Sequence, residues 1–535
     1  MNRTSFYRYF TLIVIVCSLF SCRSDEQQPL GVNKLKYKKL KLKDQFGINA
    51  FEWDFLQDPN NPNDGSKIYE PKMDLLKSFS AVRHYMDWEK LEDKEGVYSF
   101  NPTTRGGWNY DAIYLRSKLE GIMILGCLKN TPDWLFNTFP KNERDVDAVP
   151  VKYGASREDP KSYIAQSRAA FQYAARYGSN KNIDTTLITL NTTPRWTGDV
   201  VNSIRIGLDL VKYVECNNEP DKWWKGRKSQ QTGREYAANL SAFYDGNKGK
   251  MGKNAGVKTA DPNMKVVLGG LARPDVKFVR EIVEWCKENR GLKPDGSIDL
   301  CFDVINYHLY SNDNTSWFAK FKPNKRGIAP ELSNMGEIAD SFVNLATELG
   351  KDVEVWTTET GYDLNTQSIQ SAMPIESKSV LVTQADWILR TSLLYARHGL
   401  NRVFFYIAYD TSRDGADTKT PFGTSGLLDN GKRRPAADYL LQTTKLMGEY
   451  VYENTIYEDP IVDVYTYRGK SMYILVVPDE KDRREDYELD LNKAKKARIH
   501  YLQPGSDVTM HKDVATDKGK LIINVTETPV FVEAL

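Results

Sequence analysis

The sequence predicts an α/β protein, a (β/α)8 barrel followed by a small antiparallel β-sandwich. Over residues 44–447, eight short apolar runs alternate with stretches whose apolar residues recur at three-and-four spacing, the period of a helix. The runs are almost continuously apolar, as in parallel strands covered on both faces, and eight strand–helix units close a barrel of this kind. Over residues 448–535 the pattern changes to alternating strands separated by turns, which predicts the sandwich.

The predicted strands and the stretches between them follow the plan of a TIM barrel. In chain order the strands are FGINAFEW from Phe46, AVRHYMDW from Ala81, IMILGCL from Ile122, KYVECNNE from Lys212, KVVLGG from Lys265, DVINYHLY from Asp303, VEVWTTETGYD from Val353 and VFFYIAYD from Val403. The segments after the first strand (54–70) and the third (about 129–190) exceed an ordinary βα loop. We expect them to wall the carboxyl-terminal face of the barrel, where substrates bind in this fold.

Residues 1–22 have the features of an export signal: two arginines, an apolar run too short to span a membrane, and a cleavage site of small residues. LFSC, which ends at Cys22, resembles the lipobox of bacterial lipoproteins. The resemblance implies lipidation of Cys22 and attachment to the outer membrane of the bacterial cell envelope, facing the periplasm or the surface; ordinary cleavage beside a chance cysteine is the alternative. Residues 23–43 read as a tether, and the alternation in KLKYKKLKLK (34–43) would suit an additional sandwich strand.

Composition and motifs exclude several classes of function. The net charge of +2, from 73 basic and 71 acidic residues, gives no basic excess for nucleic acid. Zinc spacing, a P-loop and a dinucleotide fingerprint are all absent from the sequence. Four cysteines, Cys127, Cys216, Cys286 and Cys301, lie singly in apolar runs, which is typical of buried thiols. We therefore expect chemistry from ordinary side chains, without a cofactor or metal. We also expect a monomer.

Two glutamates stand where barrel enzymes carry their catalytic groups. In YVECNNEPDKWW the fourth strand ends in residues that strands disfavour, and a local rule broken at a strand end points to function. Glu219 lies there, and Glu359, in TTETGYD, ends the seventh strand on the opposite side of the barrel mouth. Two carboxyl groups about 5 Å apart hydrolyse a glycosidic bond with retention, and about 6.5–9.5 Å apart with inversion. A helix N-cap is the other interpretation of Asn-Glu-Pro.

Asn-Glu-Pro at the end of strand 4, with a second glutamate at the end of strand 7, resembles clan A of the retaining glycoside hydrolases, which includes families 5, 30 and 39. The resemblance implies a hydrolase of β-glycosidic bonds in a poly- or oligosaccharide, acting through a covalent glycosyl-enzyme. It makes Glu219 the general acid/base and Glu359 the nucleophile. Asn218 would then hydrogen-bond the sugar 2-hydroxyl, a contact that strengthens in the transition state.

Further residues extend the resemblance. Arg83, in VRHY, resembles the clan arginine that keeps the nucleophile ionised, with a surface ion pair as the alternative. His308 and Tyr310, in NYHLY, resemble the His-x-Tyr of family 5, where the tyrosine donates to the nucleophile and the histidine lines the sugar site; the register leaves open which role falls to which residue. In place of the clan's tryptophan on strand 8, FFYIAYD offers Tyr406 or Tyr409 as a smaller sugar platform.

Tryptophans at strand ends and in the loops after them are candidates for stacking on sugar C–H faces, with packing in the core as the alternative. They are Trp53, Trp88, Trp134, Trp223 and Trp224, of which Trp134 and Trp223 are taken as substrate-binding. A catalytically inactive glycan-binding lipoprotein is the alternative function, and an inverting hydrolase or a transglycosylase is a third. The presence of both glutamates favours a hydrolase.

Overall fold

The structure, a computed structural model, describes residues 40–315, 325–350, 352–411 and 421–535. The predicted signal with Cys22 and most of the predicted tether therefore lie outside the described residues. The described end of that tether enters a 3-10 turn at Leu42–Gln45, and the rest of the predicted extra strand is not described. Among the described residues, no helix is long and apolar enough to cross a membrane.

Eight parallel strands close into a barrel in chain order, with β1 also paired to β8. Each of the eight predicted runs overlaps one of these strands, with β3 and β8 extending one residue beyond their runs, so the predicted barrel is confirmed. The strands are β1 (Gly47–Ala50), β2 (Ala81–Asp87), β3 (Met123–Lys129), β4 (Tyr213–Cys216), β5 (Lys265–Leu268), β6 (Val304–His308), β7 (Glu354–Thr360) and β8 (Arg402–Phe405).

A helix follows every barrel strand. In order, these helices are Glu70–Leu76, Tyr110–Leu119, Ile164–Tyr177, Gly233–Asp245, Val276–Asn289, Met335–Leu349, Val380–Arg397 and Pro435–Met447. The loop after β3 is shorter than the sequence predicted, because the barrel helix Ile164–Tyr177 lies inside the predicted loop. Shorter helices occur in the loops, at Trp53–Leu56, Trp88–Leu91, Asp133–Phe136 and Val257–Ala260.

Local sequence signals set the helix ends. Gly233–Asp245 begins in a capping box, in which the Thr232 hydroxyl accepts from the main-chain N–H of Glu235 and the Glu235 carboxylate accepts from that of Thr232. It ends at Gly246, whose φ of 62° is left-handed and suits glycine. Val276–Asn289 begins where the Asp275 side chain accepts from the N–H of Lys277.

The barrel interior changes from apolar to polar along the strands. A plug of apolar side chains fills its amino-terminal part: Ala81, Leu125, Val267, Val304, Trp356 and Phe404. Inward-facing side chains recur every two residues, so the next layer lies two positions further along each strand. There the buried side chains include Arg83, Asn306 and Thr358. Polar chemistry is therefore confined to the carboxyl-terminal mouth of the barrel.

The C-terminal region is an antiparallel sandwich, as predicted. After a short hairpin of β9 (Leu428–Asp429) and β10 (Lys432–Arg433), its strands are β11 (Val451–Glu458), β12 (Ile461–Tyr467), β13 (Lys470–Val476), β14 (Glu485–Asp490), β15 (Lys496–Tyr501), β16 (Met510–Ala515), β17 (Lys520–Val525) and β18 (Val530–Ala534). A six-stranded sheet, β11-β12-β13-β18-β15-β16, accompanies the pair β14-β17. The alternation predicts strands in IVDVYTYRG, SMYILVVPD, ARIHYLQPG and KLIINVTETPVFVEAL, which correspond to β12, β13, β15, β17 and β18. It misses β11, β14 and β16, whose side chains are mostly exposed and lack a strong apolar alternation.

Two arginines of the helix Val380–Arg397, the buried Arg390 and the largely buried Arg397, hold the sandwich against the barrel. Arg397 forms a 2.9 Å ion pair with Asp463 on β12. Arg390 donates to the main-chain oxygen of Asp479 at 3.0 Å and forms a 2.7 Å ion pair with Glu331. Breaking a buried ion pair would leave one charge without a partner and away from water. These contacts therefore fix the barrel and the sandwich in one arrangement.

We expect Asp463→Ala to lower the free energy of unfolding by about 3 kcal/mol, because it leaves the Arg397 guanidinium without its main partner. Urea denaturation followed by tryptophan fluorescence measures the change. The pair Arg498–Asp513 provides the control, since both side chains are partly exposed in the same sandwich. Asp513→Ala should leave the midpoint almost unchanged, and equal losses in the two variants would contradict a buried interface.

Candidate active site

Arg83 lies at the centre of the polar layer and is fully buried. Its Nε and Nη2 donate to the two carboxylate oxygens of Glu215 at 2.6 and 3.0 Å. Its Nη1 donates to Glu359 at 2.8 Å and to Asn49 at 3.0 Å, and Nη2 also donates to Asn218 at 2.7 Å. Arg83 is therefore not in a surface ion pair; one guanidinium connects β1, β2, β4 and β7.

Glu359 reaches the mouth of the barrel because β7 is irregular. Tyr307 of β6 is paired with Thr357 and His308 with Glu359, so that Thr358 is an extra residue in the ladder. Bulges of this kind re-aim side chains, often beside active sites. The hydroxyl of Thr358 and the carboxylate of Glu359 thus both contact groups of the site.

Three donors meet the Glu359 carboxylate. Arg83 and the hydroxyl of Tyr85 both donate to Oε1, and the hydroxyl of Tyr310 donates to Oε2 at 3.2 Å. Burial alone would raise the pKa of Glu359, but the charges of His308 and Arg83 and the hydrogen bond from Tyr85 outweigh it and hold the pKa below its usual value. Glu359 is therefore kept as a carboxylate.

Glu219 follows the end of β4 in a left-handed backbone conformation. Its φ is 50° and that of Asn217 is 70°, values that non-glycine residues adopt rarely. The N–H of Glu219 donates to the carbonyl of Gly270 at 3.1 Å, which fixes this turn against the next strand. The next long helix begins only at Gly233, so the helix N-cap interpretation is wrong. The Glu219 side chain is 21% exposed and open to a ligand.

His308 lies between the two glutamates. Its Nδ1 is 3.0 Å from Oε1 of Glu219 and 3.6 Å from Oε2 of Glu359, and its Nε2 is 3.1 Å from the Thr358 hydroxyl. Burial lowers the pKa of His308, but the charges of Glu359 and Glu219 raise it by a larger amount. The pKa of His308 therefore lies above its usual value. One side-chain atom from each of Glu219, His308 and Glu359 lies within 4.8 Å of the others.

The structure shows which of His308 and Tyr310 donates a hydrogen bond to Glu359, a question that the sequence left open. Tyr310 donates to Glu359, whereas His308 contacts both carboxylates. The side-chain oxygen of Asn218, the residue before Glu219, accepts a hydrogen bond from Arg83, and this bond fixes the orientation of the Asn218 side chain. All of the polar side chains predicted for the site are thus brought together at one end of the barrel.

The aromatic candidates divide between the site and its surroundings. The half-buried ring of Tyr406 lies edge-on to the rings of Tyr85 and Phe422, with centroids 6.2 and 5.9 Å away. Because Tyr85 donates to Glu359, Tyr406 lines the same side of the mouth. Trp223 lies exposed in the loop after β4. Trp134 is half-buried, and its indole N–H donates to the carbonyl of Glu92 at 3.1 Å, so it is partly a structural residue.

Sequence reasoning missed four residues of this network. Tyr85 donates to Glu359, Glu215 holds Arg83 in place, and Asn49 and Thr358 hydrogen-bond Arg83 and His308 respectively. The available signal was the period of two: Tyr85 lies two residues beyond Arg83 on the same strand, and Glu215 is a charged residue inside an apolar run. A buried charge needs a partner, which pairs Glu215 with Arg83.

Comparison with solved structures finds glycoside hydrolases of several families. A family 39 glycoside hydrolase from the gut symbiont Bacteroides cellulosilyticus WH2 superposes with a TM-score of 0.59 at 17% identity, covering 93% of this chain and 83% of that one. A GH30 endoxylanase from Clostridium papyrosolvens C71 gives 0.51 at 13%, covering 93% and 97%. A family 51 α-L-arabinofuranosidase from Bifidobacterium longum gives 0.53 at 13%, covering 94% and 98%.

No family model and no curated protein matches the chain in sequence. The structural likeness therefore rests on three-dimensional form, and at these identities it establishes the fold. The fold implied by the resemblance to clan A is confirmed over almost the whole length of the chain.

We expect Glu359→Gln to lower the pKa of His308, because the charge of Glu359 is the largest cause that raises it. His308 should then lose its proton at lower pH than in the unsubstituted protein. A proton NMR titration of the five histidines measures this, with His308→Asn to assign the resonance. As a control, Glu533→Gln removes the carboxylate 3.1 Å from His500 and should move that resonance alone. An unmoved His308 titration would contradict the arrangement.

Proposed function

We propose that the protein is a retaining glycoside hydrolase that cleaves β-glycosidic bonds of a poly- or oligosaccharide. The observation that carries the proposal is the approach of Glu219 and Glu359, whose nearest oxygens lie within 4.8 Å. Carboxyl groups of retaining glycosidases are about 5–5.5 Å apart, whereas inverting enzymes leave a wider gap for water. Glu359 is buried among donors and Glu219 is partly exposed, so the two carboxyl groups have the different environments that a nucleophile and an acid/base require.

In the first step, an oxygen of Glu359 forms a bond to the anomeric carbon of the sugar. The bond from that carbon to the leaving-group oxygen breaks, and Glu219 delivers a proton to this oxygen. Arg83, Tyr85 and Tyr310 keep Glu359 ionised and hold its carboxylate in position for attack. Asn218, fixed by Arg83, is placed to hydrogen-bond the sugar beside the reacting bond.

In the second step, water attacks the anomeric carbon of the glycosyl ester. Glu219 now accepts the proton from water, and the bond between the sugar and Glu359 breaks to regenerate the carboxylate. The Glu219 side chain is partly exposed, which admits water from the barrel mouth. Tyr406, at the position of the clan's tryptophan, would form the floor of the sugar site, with Trp134 and Trp223 further from the reacting bond.

The other functions fit the site less well. A closest approach of the two carboxylates within 4.8 Å favours retention over inversion, which leaves room for a water molecule between the two groups. An inactive glycan-binding protein would have no need to keep Glu359 ionised by three donors in a buried position. The known activities of the solved neighbours span xylan and arabinofuranoside hydrolysis. The sugar and the linkage are thus set by loops rather than by the barrel.

Incubation with activated 2-fluoro aryl β-glycosides tests the proposal. The fluorine slows both steps and the activated leaving group restores the first, so the glycosyl-enzyme should accumulate. We expect intact mass spectrometry to show one added sugar and peptide mapping to place it on Glu359. Glu359→Gln is the control and should gain no mass. If no sugar of a broad panel labels the protein, retention is wrong.

We expect Glu219→Ala to reduce turnover of natural glycans by about 10²–10⁴-fold, the usual contribution of a general acid and base. Turnover of a substrate with a good leaving group should recover when azide is added, because azide attacks the glycosyl-enzyme without a general base. The product should be the β-glycosyl azide, identified by NMR. Turnover of glycan unaffected by the substitution would refute the role of Glu219.

We also propose that the protein is exported and attached to the bacterial envelope by lipid on Cys22. The support is the sequence alone, with the LFSC motif after an apolar run. A lipid anchor would keep the barrel on the membrane surface at the end of a tether. Cys22→Ala should move the protein from the membrane fraction to the soluble fraction, and retention in the membrane fraction would argue against the anchor.

A further inference from the structure

The loop that begins at Glu219 carries two exposed tryptophans. Trp223 and Trp224 are 46% and 53% exposed, and their rings lie edge-to-face with centroids 4.9 Å apart. Neighbouring exposed indoles form an apolar surface next to polar groups, which is the kind of surface that binds the C–H face of a sugar. Only three residues separate Trp223 from Glu219 in the sequence.

Arg273 lies over one face of the Trp223 ring. Its guanidinium carbon lies 4.7 Å from the centre of the ring, and it comes from the loop after β5. The buried carboxylate of Asp221 accepts from the main-chain N–H groups of Ala272 and Arg273 at 2.9 and 2.8 Å. Asp221 is two residues beyond Glu219 in the sequence, so its carboxylate ties the loop that carries Glu219 to the backbone that presents Arg273.

Among the described residues, no carboxylate forms an ion pair with Arg273, whereas three lysines of the loop after β4 are paired. Lys222 lies 3.0 Å from Asp147, Lys225 lies 3.1 Å from Asp145 and 3.0 Å from Asp147, and Lys228 lies 3.1 Å from Asp145. Those lysines are therefore used in joining the loops after β3 and β4. Over the described residues, Arg273 is left as a cation stacked on an exposed indole.

We propose that Trp223 and Arg273 form a subsite for the leaving-group side of the substrate and that this subsite selects a sugar bearing an anion, the carboxylate of a uronic acid or a sulfate ester. The side follows from the proposed function, because the acid Glu219 must face the leaving-group oxygen. The indole stacks on the sugar ring, and the planar guanidinium donates two parallel hydrogen bonds to the anion. The substrate class is therefore an acidic glycan.

The test uses matched glycans that differ only in charge. Uronic-acid polysaccharides are compared with the same material after reduction of the carboxyl groups, and sulfated glycans with their desulfated forms. Affinity electrophoresis in gels containing each glycan measures binding, and release of reducing ends measures hydrolysis. We expect an acidic glycan to retard the protein at least about tenfold more strongly than its neutral partner, with one of the two pairs identifying the anion.

Arg273→Met should remove most of that preference and lower the affinity for the acidic glycan about tenfold. Arg273→Lys should keep part of the preference, because the charge remains but the paired donors of the guanidinium are lost. Arg468→Met is the matched control, since Arg468 lies 5.1 Å from the ring of Tyr467 in the sandwich and makes the same type of contact. This control should bind like the unsubstituted protein.

Equal binding of acidic and neutral glycans, or equal behaviour of Arg273→Met and Arg468→Met, would overturn the subsite and leave Arg273 as a loop-packing residue. Absence of binding to every acidic glycan would also overturn it, even if the protein released the aglycone of an aryl glycoside and so proved to be a hydrolase. Binding of an acidic glycan that depends on Arg273, without hydrolysis of any substrate, would support the subsite and refute the proposed reaction.

Discussion

The burial of one guanidinium determines how the mouth of this barrel is organised. Arg83 has no access to water, so its charge and its donors must be satisfied inside the protein. The structure satisfies them with Glu215 from β4, Asn49 from β1, and Glu359 from β7. Because the same group also holds Asn218, moving any of these side chains disturbs the rest. The geometry of the proposed reaction is thus part of what stabilises the barrel.

Strands β4 and β7 depart from regular structure where they supply a carboxylate. β4 is followed by two residues in the left-handed region, Asn217 and Glu219, and β7 contains an extra residue at Thr358. Such conformations cost free energy and persist only where surrounding contacts fix them. Here the contacts are the Gly270 carbonyl, the Arg83 guanidinium and the His308 ring. They bring two acidic side chains together that would otherwise repel, with His308 and Arg83 offsetting the repulsion.

Much of the barrel and of the site could be predicted from the sequence, for a physical reason. Strands buried on both faces are apolar without alternation, so a polar group such as Glu219 is conspicuous at their ends. The exposed strands β11, β14 and β16 lacked this contrast and were missed. Tyr85 and Glu215 were missed because their roles depend on contacts across the barrel: neither the partner of Arg83 nor the bulge in β7 is visible in a linear pattern. The roles of His308 and Tyr310 needed the register, which only the structure supplies.

We propose that Glu219 and Glu359 lie too close together for a water molecule to attack the anomeric carbon directly. The stereochemistry of the released sugar tests it most directly. Proton NMR of a reaction on an activated aryl β-glycoside, recorded before mutarotation, identifies the anomer that is formed first. A retaining enzyme releases the β-anomer first, since two successive inversions at one carbon restore its configuration. Initial release of the α-anomer would show a single displacement by water and would contradict the assignment of Glu359 as nucleophile.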